Sequence, residues 1–411
     1  MTDSTADHPT GTDAAINPPE VTPVPARRML VLATVGFLVN FWAWALISPL
    51  GASYHDQLKL SAFQQAFLVA VPVVVGSLGR IPVGALTDRF GARVMFSVVS
   101  TATIIPTLFV GLVADTYALL ILGGIFLGLG GTAFAVGVPL VNAWFPRQRR
   151  GLALGIFGVG TGGTAISAFT TVRLSDAYGS STPFVVVAVV LAGYAALAML
   201  LLRDAPGRVP PKSAFLARTW ATLKIPATGQ LSLIYAVSFG GFVAFSVYLP
   251  TYLSNAYDLS ANDAAMRTAG FVLLAVAMRP LGGWLSDRVG PIPVLTTCFA
   301  GAAALALLAA GKLQLLPAGT VAFLGLAATL GAASGACFAL VADVTPVPDV
   351  GSVTGVVGAA GGLGGFVPPL VMGVIYGRTG GYGPGLILLA VVAAATAAFI
   401  WWPVRRRTWQ G

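Results

Sequence analysis

Long apolar segments separated by short polar connections follow one another from residue 29 to residue 403 of this 411-residue chain. A helix that crosses a bilayer needs about 20 predominantly apolar residues. Glycine, proline and charged residues divide the apolar sequence into segments of about that length. We therefore predict twelve membrane-spanning helices, at 29–50, 63–87, 94–113, 117–144, 150–172, 183–203, 229–254, 264–286, 292–312, 317–342, 352–377 and 383–403. The expected fold is an all-α polytopic membrane protein.

The composition supports this prediction. Hydrophobic residues make up 56% of the chain and charged residues 9%, whereas soluble domains carry about 25% charged residues. The net charge of +9 would suggest nucleic-acid binding in a soluble protein. Here the Lys and Arg residues fall in the connections between helices, as the positive-inside rule describes, so no nucleic-acid partner is expected.

The basic residues also predict the orientation of the chain in the cell membrane. Residues 1–26 are polar and typical of a disordered tail, and residues 404–411 form a second tail. The tails and the connections on their side hold sixteen Lys and Arg residues, and the connections on the other side hold five. Both tails are therefore predicted to be cytoplasmic. The longest connection, 204–228, divides the chain into six-helix halves at 27–203 and 229–403.

Two arginines, Arg80 and Arg279, lie within predicted helices, and an internal repeat relates them. Each begins the pattern R-x-x-x-G-x-L-[ST]-D-R-x-G, and the two copies are 199 residues apart. Two further sets recur at offsets of 200 and 201: Gly151, Gly155 and Gly158 with Gly351, Gly355 and Gly358, and Phe41, Trp44 and Pro49 with Phe242, Phe245 and Pro250. A nearly constant offset indicates duplicated halves. Paired halves are typical of transporters that bind substrate between them near the bilayer midplane.

The depth of Arg80 in its helix indicates a function. Eight residues separate it from Asp88, about 12 Å along a helix, which is close to the middle of a hydrocarbon layer about 30 Å thick. Snorkelling to the interface would be a long reach from this depth. A buried ion pair would need a carboxylate, and the sequence places its Asp and Glu residues in tails, loops or near helix ends. We therefore predict that both guanidiniums face a central cavity and bind a small planar anion, for which their donor geometry is suited.

Several stretches resemble a known family. The motif Gly84-x-x-x-Asp88-Arg89-x-Gly91-x-Arg93 resembles the signature between helices 2 and 3 of the major facilitator superfamily. Within that superfamily, GRIPVGALTDRFG, GLALGIFGVGTGGTAISAF, LIYAVSFGGFVAFSVYLPTYL and GVVGAAGGLGGFVPP resemble the nitrate/nitrite porter family. The resemblance covers the whole membrane portion. It implies two pseudo-symmetric six-helix halves and nitrate and nitrite as substrates.

The resemblance also implies aromatic rings above and below the anion. The candidates are Phe41, Trp44, Phe134, Tyr235 and Phe239, of which the last two share a helix face because they are spaced i, i+4. Lipid contact or core packing is the alternative for each ring. Tyr235 adds a hydroxyl donor.

Two positions depart from the family pattern. Thr161 stands where the family commonly has an asparagine, and its hydroxyl can still donate one hydrogen bond. Ala339 stands where the family often has a polar or basic residue.

Glycines and loop charges are assigned supporting roles. We predict that eight glycines allow close helix packing and sliding or bending during transport: Gly158, Gly160, Gly162, Gly163, Gly358, Gly361, Gly362 and Gly364. We predict that charged residues at the ends of the two repeats form a cytoplasmic gate of ion pairs that break when this face opens: Asp88, Arg89, Arg93, Asp287 and Arg288. Arg147, Arg149 and Arg150 are further candidates for the gate, or serve only as positive-inside charges.

The sequence contains no enzymatic, metal-binding or cofactor-binding pattern, so neither catalysis nor a cofactor is expected. The leading hypothesis is nitrate/nitrite antiport by rocker-switch alternating access, by a functional monomer in the lipid bilayer. Proton-coupled nitrate symport is the alternative, and Asp343 is its candidate proton carrier. An exporter of another small solute on the same scaffold and a non-transporting sensor are more remote alternatives.

Overall fold

The computed structural model describes residues 23–206, 220, 222–311, 313–344 and 350–404. Most of both predicted tails and most of the connection 204–228 lie outside the described residues. Within them, twelve helices are long and apolar enough to cross a membrane, and no residue forms a strand. The helices are α1 Pro25–Leu58, α2 Ala62–Phe90, α3 Ala92–Leu112, α4 Tyr117–Trp144, α5 Leu152–Tyr178, α6 Thr182–Leu201, α7 Pro226–Tyr257, α8 Ala261–Val289, α9 Pro291–Ala310, α10 Leu315–Val341, α11 Val353–Thr379 and α12 Gly383–Trp402. The predicted fold class and helix number are confirmed.

Two helices continue more than five residues past the end that the apolar pattern predicts. In α1, the segment Gly51–Leu58 continues the helix until Lys59, which adopts a left-handed conformation with φ of 52°. In α5, the helix reaches Tyr178 and ends before Gly179, which has φ of 102°. Both extensions are polar, so hydropathy carries no signal for helix there, yet each segment is helical. In α1, the 3-10 segment Ser48–Leu50 precedes the extension.

Four helices are interrupted where they approach the two buried arginines. A turn at Gly79 separates Ala62–Leu78 from Arg80–Phe90 in α2. Short 3-10 segments occur at Gly128–Thr132 in α4 and at Val159–Gly162 in α5. In α11, one helical segment ends at Gly364 and the next begins at Val367. Discontinuous helices near the midplane are typical of substrate sites in transporters.

Small residues bring the helices around the arginines into backbone contact. An added Cβ at Gly335 of α10 would overlap the carbonyl oxygen of Arg279 in α8, and one at Gly331 would overlap that of Ala275. Among the first six helices, which carry Arg80, a Cβ at Gly131 of α4 would lie 2.8 Å from the Cα atom of Gly76 in α2. The chain segment that carries each arginine is therefore fixed against a neighbouring helix.

The two six-helix halves touch directly on one side of the membrane. We call the side on which α1 begins and α12 ends the tail side, and the other the far side. On the far side, the hydroxyl of Ser48 in α1 donates to the carbonyl oxygen of Val247 in α7, and a Cβ at Gly373 of α11 would lie 2.6 Å from the Ala66 Cβ in α2. Toward the tail side, a Cβ at Gly155 would come no closer than 3.8 Å to Pro280, and one at Gly355 would meet nothing within 4 Å. The halves are thus in close contact on the far side, whereas the opposite half crowds neither of these two tail-side glycines.

Candidate functional site

Arg80 points into the helix bundle. It follows the turn at Gly79, and its side chain is only 5% exposed. Its Nε donates to the carbonyl oxygen of Gly131 at 3.3 Å, and its Nη1 donates to the carbonyl oxygen of Gly358 in α11. Its guanidinium carbon lies 4.9 Å from the ring centroid of Phe134. The side chain therefore does not snorkel to the interface.

Arg279 occupies the corresponding position in the other half and is also 5% exposed. Its Nη1 donates to the carbonyl oxygen of Gly158 at 3.1 Å and to the hydroxyl oxygen of Thr161 at 3.0 Å. Its Nη2 donates to the hydroxyl oxygen of Tyr235 at 3.2 Å. Thr161 in turn donates to the Gly158 carbonyl at 2.8 Å. In this structure Thr161 holds the guanidinium, and its hydroxyl hydrogen is directed to the backbone.

One aromatic ring lies beside both guanidiniums. The centroid of Phe239 is 4.9 Å from the Arg279 guanidinium carbon and 5.6 Å from that of Arg80. Tyr235 stacks on Phe239 at 5.0 Å with an interplanar angle of 8°. The face of an aromatic ring attracts a cation electrostatically. The ring pair therefore offsets part of the cost of bringing two like charges together.

No carboxylate compensates these charges within the described part of the chain. The partners of the two guanidiniums there are carbonyl oxygens, hydroxyl oxygens and aromatic faces. The side chain of Asp343, the candidate proton carrier, lies outside the described residues. Buried charges are ordinarily paired, so the site is electrostatically prepared for an anion.

The structure adds two aromatic residues that the sequence analysis did not assign to the site. Phe338 of α10 packs edge-on against Tyr235 at 4.9 Å and lies 6.3 Å from Phe134 of the opposite half. Phe242 lies 5.7 Å from the Arg279 guanidinium carbon. A sequence signal existed for Phe338, because GTAFA around Phe134 and GACFA around Phe338 are similar. Their offset of 204 differs from that of the other repeats.

Phe41 and Trp44 are buried in the core, behind the residues that contact the arginines. Phe41 packs against Phe37 at 4.4 Å and against Trp44 at 5.0 Å. The indole N–H of Trp44 donates to the carbonyl oxygen of Pro72 at 3.1 Å. Phe37 then contacts Phe134 at 5.7 Å. Phe41 is therefore linked to the Arg80 site through Phe37 and Phe134, and Trp44 lies beside Gly131, whose carbonyl oxygen accepts from Arg80.

Glycines of α5 and α11 let the arginines and rings approach the backbone. A Cβ at Gly158 would lie 3.6 Å from Arg279 Nη1, and one at Gly362 would lie 3.3 Å from Arg80 Nη1 and overlap the Ser77 hydroxyl. Other predicted glycines contact neighbouring helices or rings, where a Cβ would overlap or crowd them: Gly358 against Phe134, Gly361 against Tyr235, Gly160 against Phe37, Gly163 against Leu38 and Gly364 against Ala236.

Gly162 is the exception among these glycines. It is buried, yet an added Cβ would meet nothing within 4 Å. It lies one helical turn along α5 from Gly158, which contacts Arg279. Open space therefore exists inside the bundle beside Gly162, the residue next to Thr161, whose hydroxyl oxygen accepts from Arg279.

The charged residues predicted to form the gate lie at the tail-side ends of α2, α3 and α8. Arg93 donates from Nε to the carbonyl oxygen of Met199 at 2.8 Å, within its own half. Arg89 and Arg288 lie over Phe90 at 5.3 Å and over Trp284 at 4.0 Å.

The two aspartates of the predicted gate differ in exposure, since Asp88 is partly buried and Asp287 is exposed. Asp204, which was not predicted, accepts from the Ala92 backbone N–H at 2.6 Å and caps α3. The side chains of Arg147, Arg149 and Arg150 lie outside the described residues, and the gate stays a prediction.

Comparison with known sequences places these features in a family context. The sequence model of the Major Facilitator Superfamily matches residues 33–267 and 231–410. A Mycobacterium tuberculosis protein named probable nitrate/nitrite transporter NarK2 is 49% identical over 375 residues, covering 90% of this chain and 94% of the relative. The nitrite extrusion protein of Bacillus subtilis is 34% identical, with coverage of 91% and 93%. A Thermus thermophilus protein named probable nitrate/nitrite antiporter NarK1 is 33% identical, with coverage of 70% and 66%.

Solved structures show the same fold. A bacterial homologue of the human lysosomal transporter Spinster, crystallised in an inward-facing and occupied conformation, superimposes with a TM-score of 0.71. The match covers 93% of this chain and 97% of the homologue at 19% sequence identity. At that identity the likeness concerns the arrangement of the helices.

Proposed function

We propose that this chain, which belongs to the nitrate/nitrite porter family of the Major Facilitator Superfamily, carries nitrate and nitrite across the cell membrane between Arg80 and Arg279. The observation that carries the proposal is the pair of buried guanidiniums beside Phe239, without a carboxylate partner among the described residues. The names of the relatives support nitrate and nitrite as the substrates.

The donors around the site suit a small planar oxyanion. A guanidinium has five N–H donors in one plane, and the hydrogen bonds among the described residues use only part of them. Tyr235 accepts from Arg279, so its hydroxyl hydrogen is free to donate to an anion. The open space beside Gly162 offers room next to Arg279. An anion there would receive charge-assisted hydrogen bonds, which are stronger than neutral ones.

The mechanism we propose is antiport by rocker-switch alternating access. Proton relays in transporters use membrane-embedded Asp, Glu or His, and no such side chain contacts the two arginines in the described part of the structure. The hydrogen bond from Ser48 to the Val247 carbonyl oxygen, which joins the halves on the far side, supports closure of that side. If both tails are cytoplasmic, as the basic residues predict, this state opens toward the cytoplasm.

Counterflow in liposomes tests the proposal. The purified chain is reconstituted in vesicles loaded with nitrite, and uptake of labelled nitrate is compared with uptake into vesicles that contain no exchangeable anion. Antiport predicts uptake only in the first case. Uptake into anion-free vesicles driven by an inward pH gradient would support proton symport, and a lack of uptake under both conditions would contradict nitrate transport.

A further inference from the structure

Each arginine of the site donates to a backbone carbonyl of the opposite half, and the two contacts are equivalent. Arg80 of α2 donates from Nη1 to the Gly358 carbonyl of α11. Arg279 of α8 donates from Nη1 to the Gly158 carbonyl of α5. The arginines are 199 residues apart and the glycines 200 apart. The same interaction is therefore made twice across the interface between the halves, once in each direction.

We propose that these two carbonyls replace the anion in the empty carrier and latch its halves together until substrate displaces them. The proposal rests on the anion site described above. A carbonyl oxygen carries partial negative charge and accepts a charge-assisted hydrogen bond. It can therefore satisfy a buried guanidinium for which the described residues supply no carboxylate. Because each bond joins opposite halves, it also resists their separation.

The local backbone makes the Gly158 carbonyl accessible. Gly158 is the last residue of an α-helical segment, and the 3-10 segment Val159–Gly162 follows it. A carbonyl oxygen has two lone pairs, and here it accepts from both Thr161 and Arg279.

A glycine of α11 leaves the space that the Arg80 contact occupies. Gly362 lies one turn from Gly358, and a Cβ there would lie 3.3 Å from Arg80 Nη1 while overlapping the Ser77 hydroxyl. Arg80 can reach the Gly358 carbonyl only because this space is free. The repeated glycines thus expose carbonyls to the arginines in addition to allowing close helix packing.

The latch makes exchange the favoured mode of transport. To reorient, the empty carrier must break both guanidinium–carbonyl bonds and leave these groups buried without partners, which is costly. A bound anion supplies replacement acceptors, so the loaded carrier does not incur this cost. Weakening one carbonyl should therefore allow the empty carrier to reorient and should remove a competitor of the anion.

Backbone ester substitution tests the latch at a single atom. Lactic acid in place of Ala359 converts the Gly358 carbonyl into an ester carbonyl, which is a weaker acceptor, and keeps the side chain. Lactic acid in place of Ala360 is the matched control, because it removes one helical N–H in the same way but weakens the Ala359 carbonyl. We expect the Ala359 ester to show a several-fold higher ratio of net nitrate flux to counterflow than the control, and a several-fold lower half-saturating nitrate concentration.

A side-chain variant provides a second test if the esters do not fold. Gly362→Ala places a methyl group against Arg80 Nη1, whereas Gly355→Ala in the same helix adds one in open space. The ratio of net flux to counterflow should rise in Gly362→Ala relative to Gly355→Ala. Equal ratios within each pair would overturn the latch while leaving the transport function intact. Failure of the unmodified chain to catalyse counterflow would instead overturn the proposed function on which the latch depends.

Discussion

Arg279 and Phe239 lie in adjacent helices with the guanidinium carbon 4.9 Å from the ring centroid, and Arg80 approaches the same ring at 5.6 Å from the opposite half. Two like charges thus approach one aromatic ring inside the bundle. A hydrophobic core alone would disfavour this arrangement, because buried cations need compensation. Its components are a ring, backbone carbonyls and hydroxyl groups, all of which leave the net positive charge in place for an anion.

The first prediction concerns the shape of the cation. Arg80→Lys and Arg279→Lys should each nearly abolish nitrate counterflow, because an ammonium keeps the charge but loses the planar set of donors that suits a planar oxyanion. Counterflow per amount of reconstituted protein measures the effect, and a thermal melt of each variant checks folding. Either variant retaining most of its activity would show that charge alone suffices.

The second prediction concerns the Tyr235 hydroxyl. Tyr235→Phe removes the oxygen that accepts from Arg279 and the hydrogen available to the anion. A hydrogen bond to a charged partner contributes about 1.5–3 kcal/mol, so nitrate affinity should fall by about ten-fold or more. Nitrate-dependent thermal stabilisation measures the affinity. Tyr248→Phe is the matched control, because the Tyr248 hydroxyl pairs with Tyr382 instead and its loss should leave nitrate affinity unchanged.

The third prediction concerns the choice of anion. A flat monovalent ion can lie beside Phe239 and accept from two planar guanidiniums, whereas sulfate is tetrahedral and divalent. Nitrate and nitrite should raise the melting temperature of the purified protein with a saturable dependence on concentration, since a ligand that binds only the folded state stabilises it. Chloride, bicarbonate and sulfate at equal ionic strength are the comparison. Equal stabilisation by sulfate would contradict a site of this shape.

The sequence was sufficient to predict the twelve helices and the burial of Arg80 and Arg279 within the helix bundle, because long apolar runs and charges inside them are strong signals. It could not reveal the Gly158 and Gly358 carbonyls as partners of the arginines, since every residue has a carbonyl and only the tertiary fold determines which one is near. Phe338 was missed for a different reason. It lies 204 residues after Phe134, whereas the two arginines are 199 residues apart, so the repeat did not align these two phenylalanines.

The aromatic predictions show the same limit. Phe239 and Phe134 contact guanidiniums, whereas Phe41 and Trp44 pack behind them. All four are aromatic residues in apolar helices, so composition and spacing cannot separate them. The distinction depends on which helix face points toward the interface between the halves, and the low amphipathicity of buried membrane helices conceals that face.

The fourth prediction separates two neighbouring glycines that the sequence treats alike. A Cβ at Gly162 would meet nothing within 4 Å, whereas one at Gly163 would overlap the Leu38 carbonyl oxygen of α1. Gly162→Leu should fill the space beside Arg279 and abolish nitrate binding with little change in melting temperature. Gly163→Ala should instead force α1 and α5 apart and destabilise the fold by about 1–3 kcal/mol, the usual cost of overpacking.

Melting temperature without ligand and the nitrate-dependent shift, measured on both glycine variants, distinguish the two effects. The expected result is a normal melt without a nitrate shift for Gly162→Leu, and a lowered melt with a remaining shift for Gly163→Ala. A full nitrate shift in Gly162→Leu would mean that the open space next to Arg279 is not where the anion lies. In that case the anion would have to lie closer to Arg80, between Phe134 and Phe239, whose rings both approach that guanidinium.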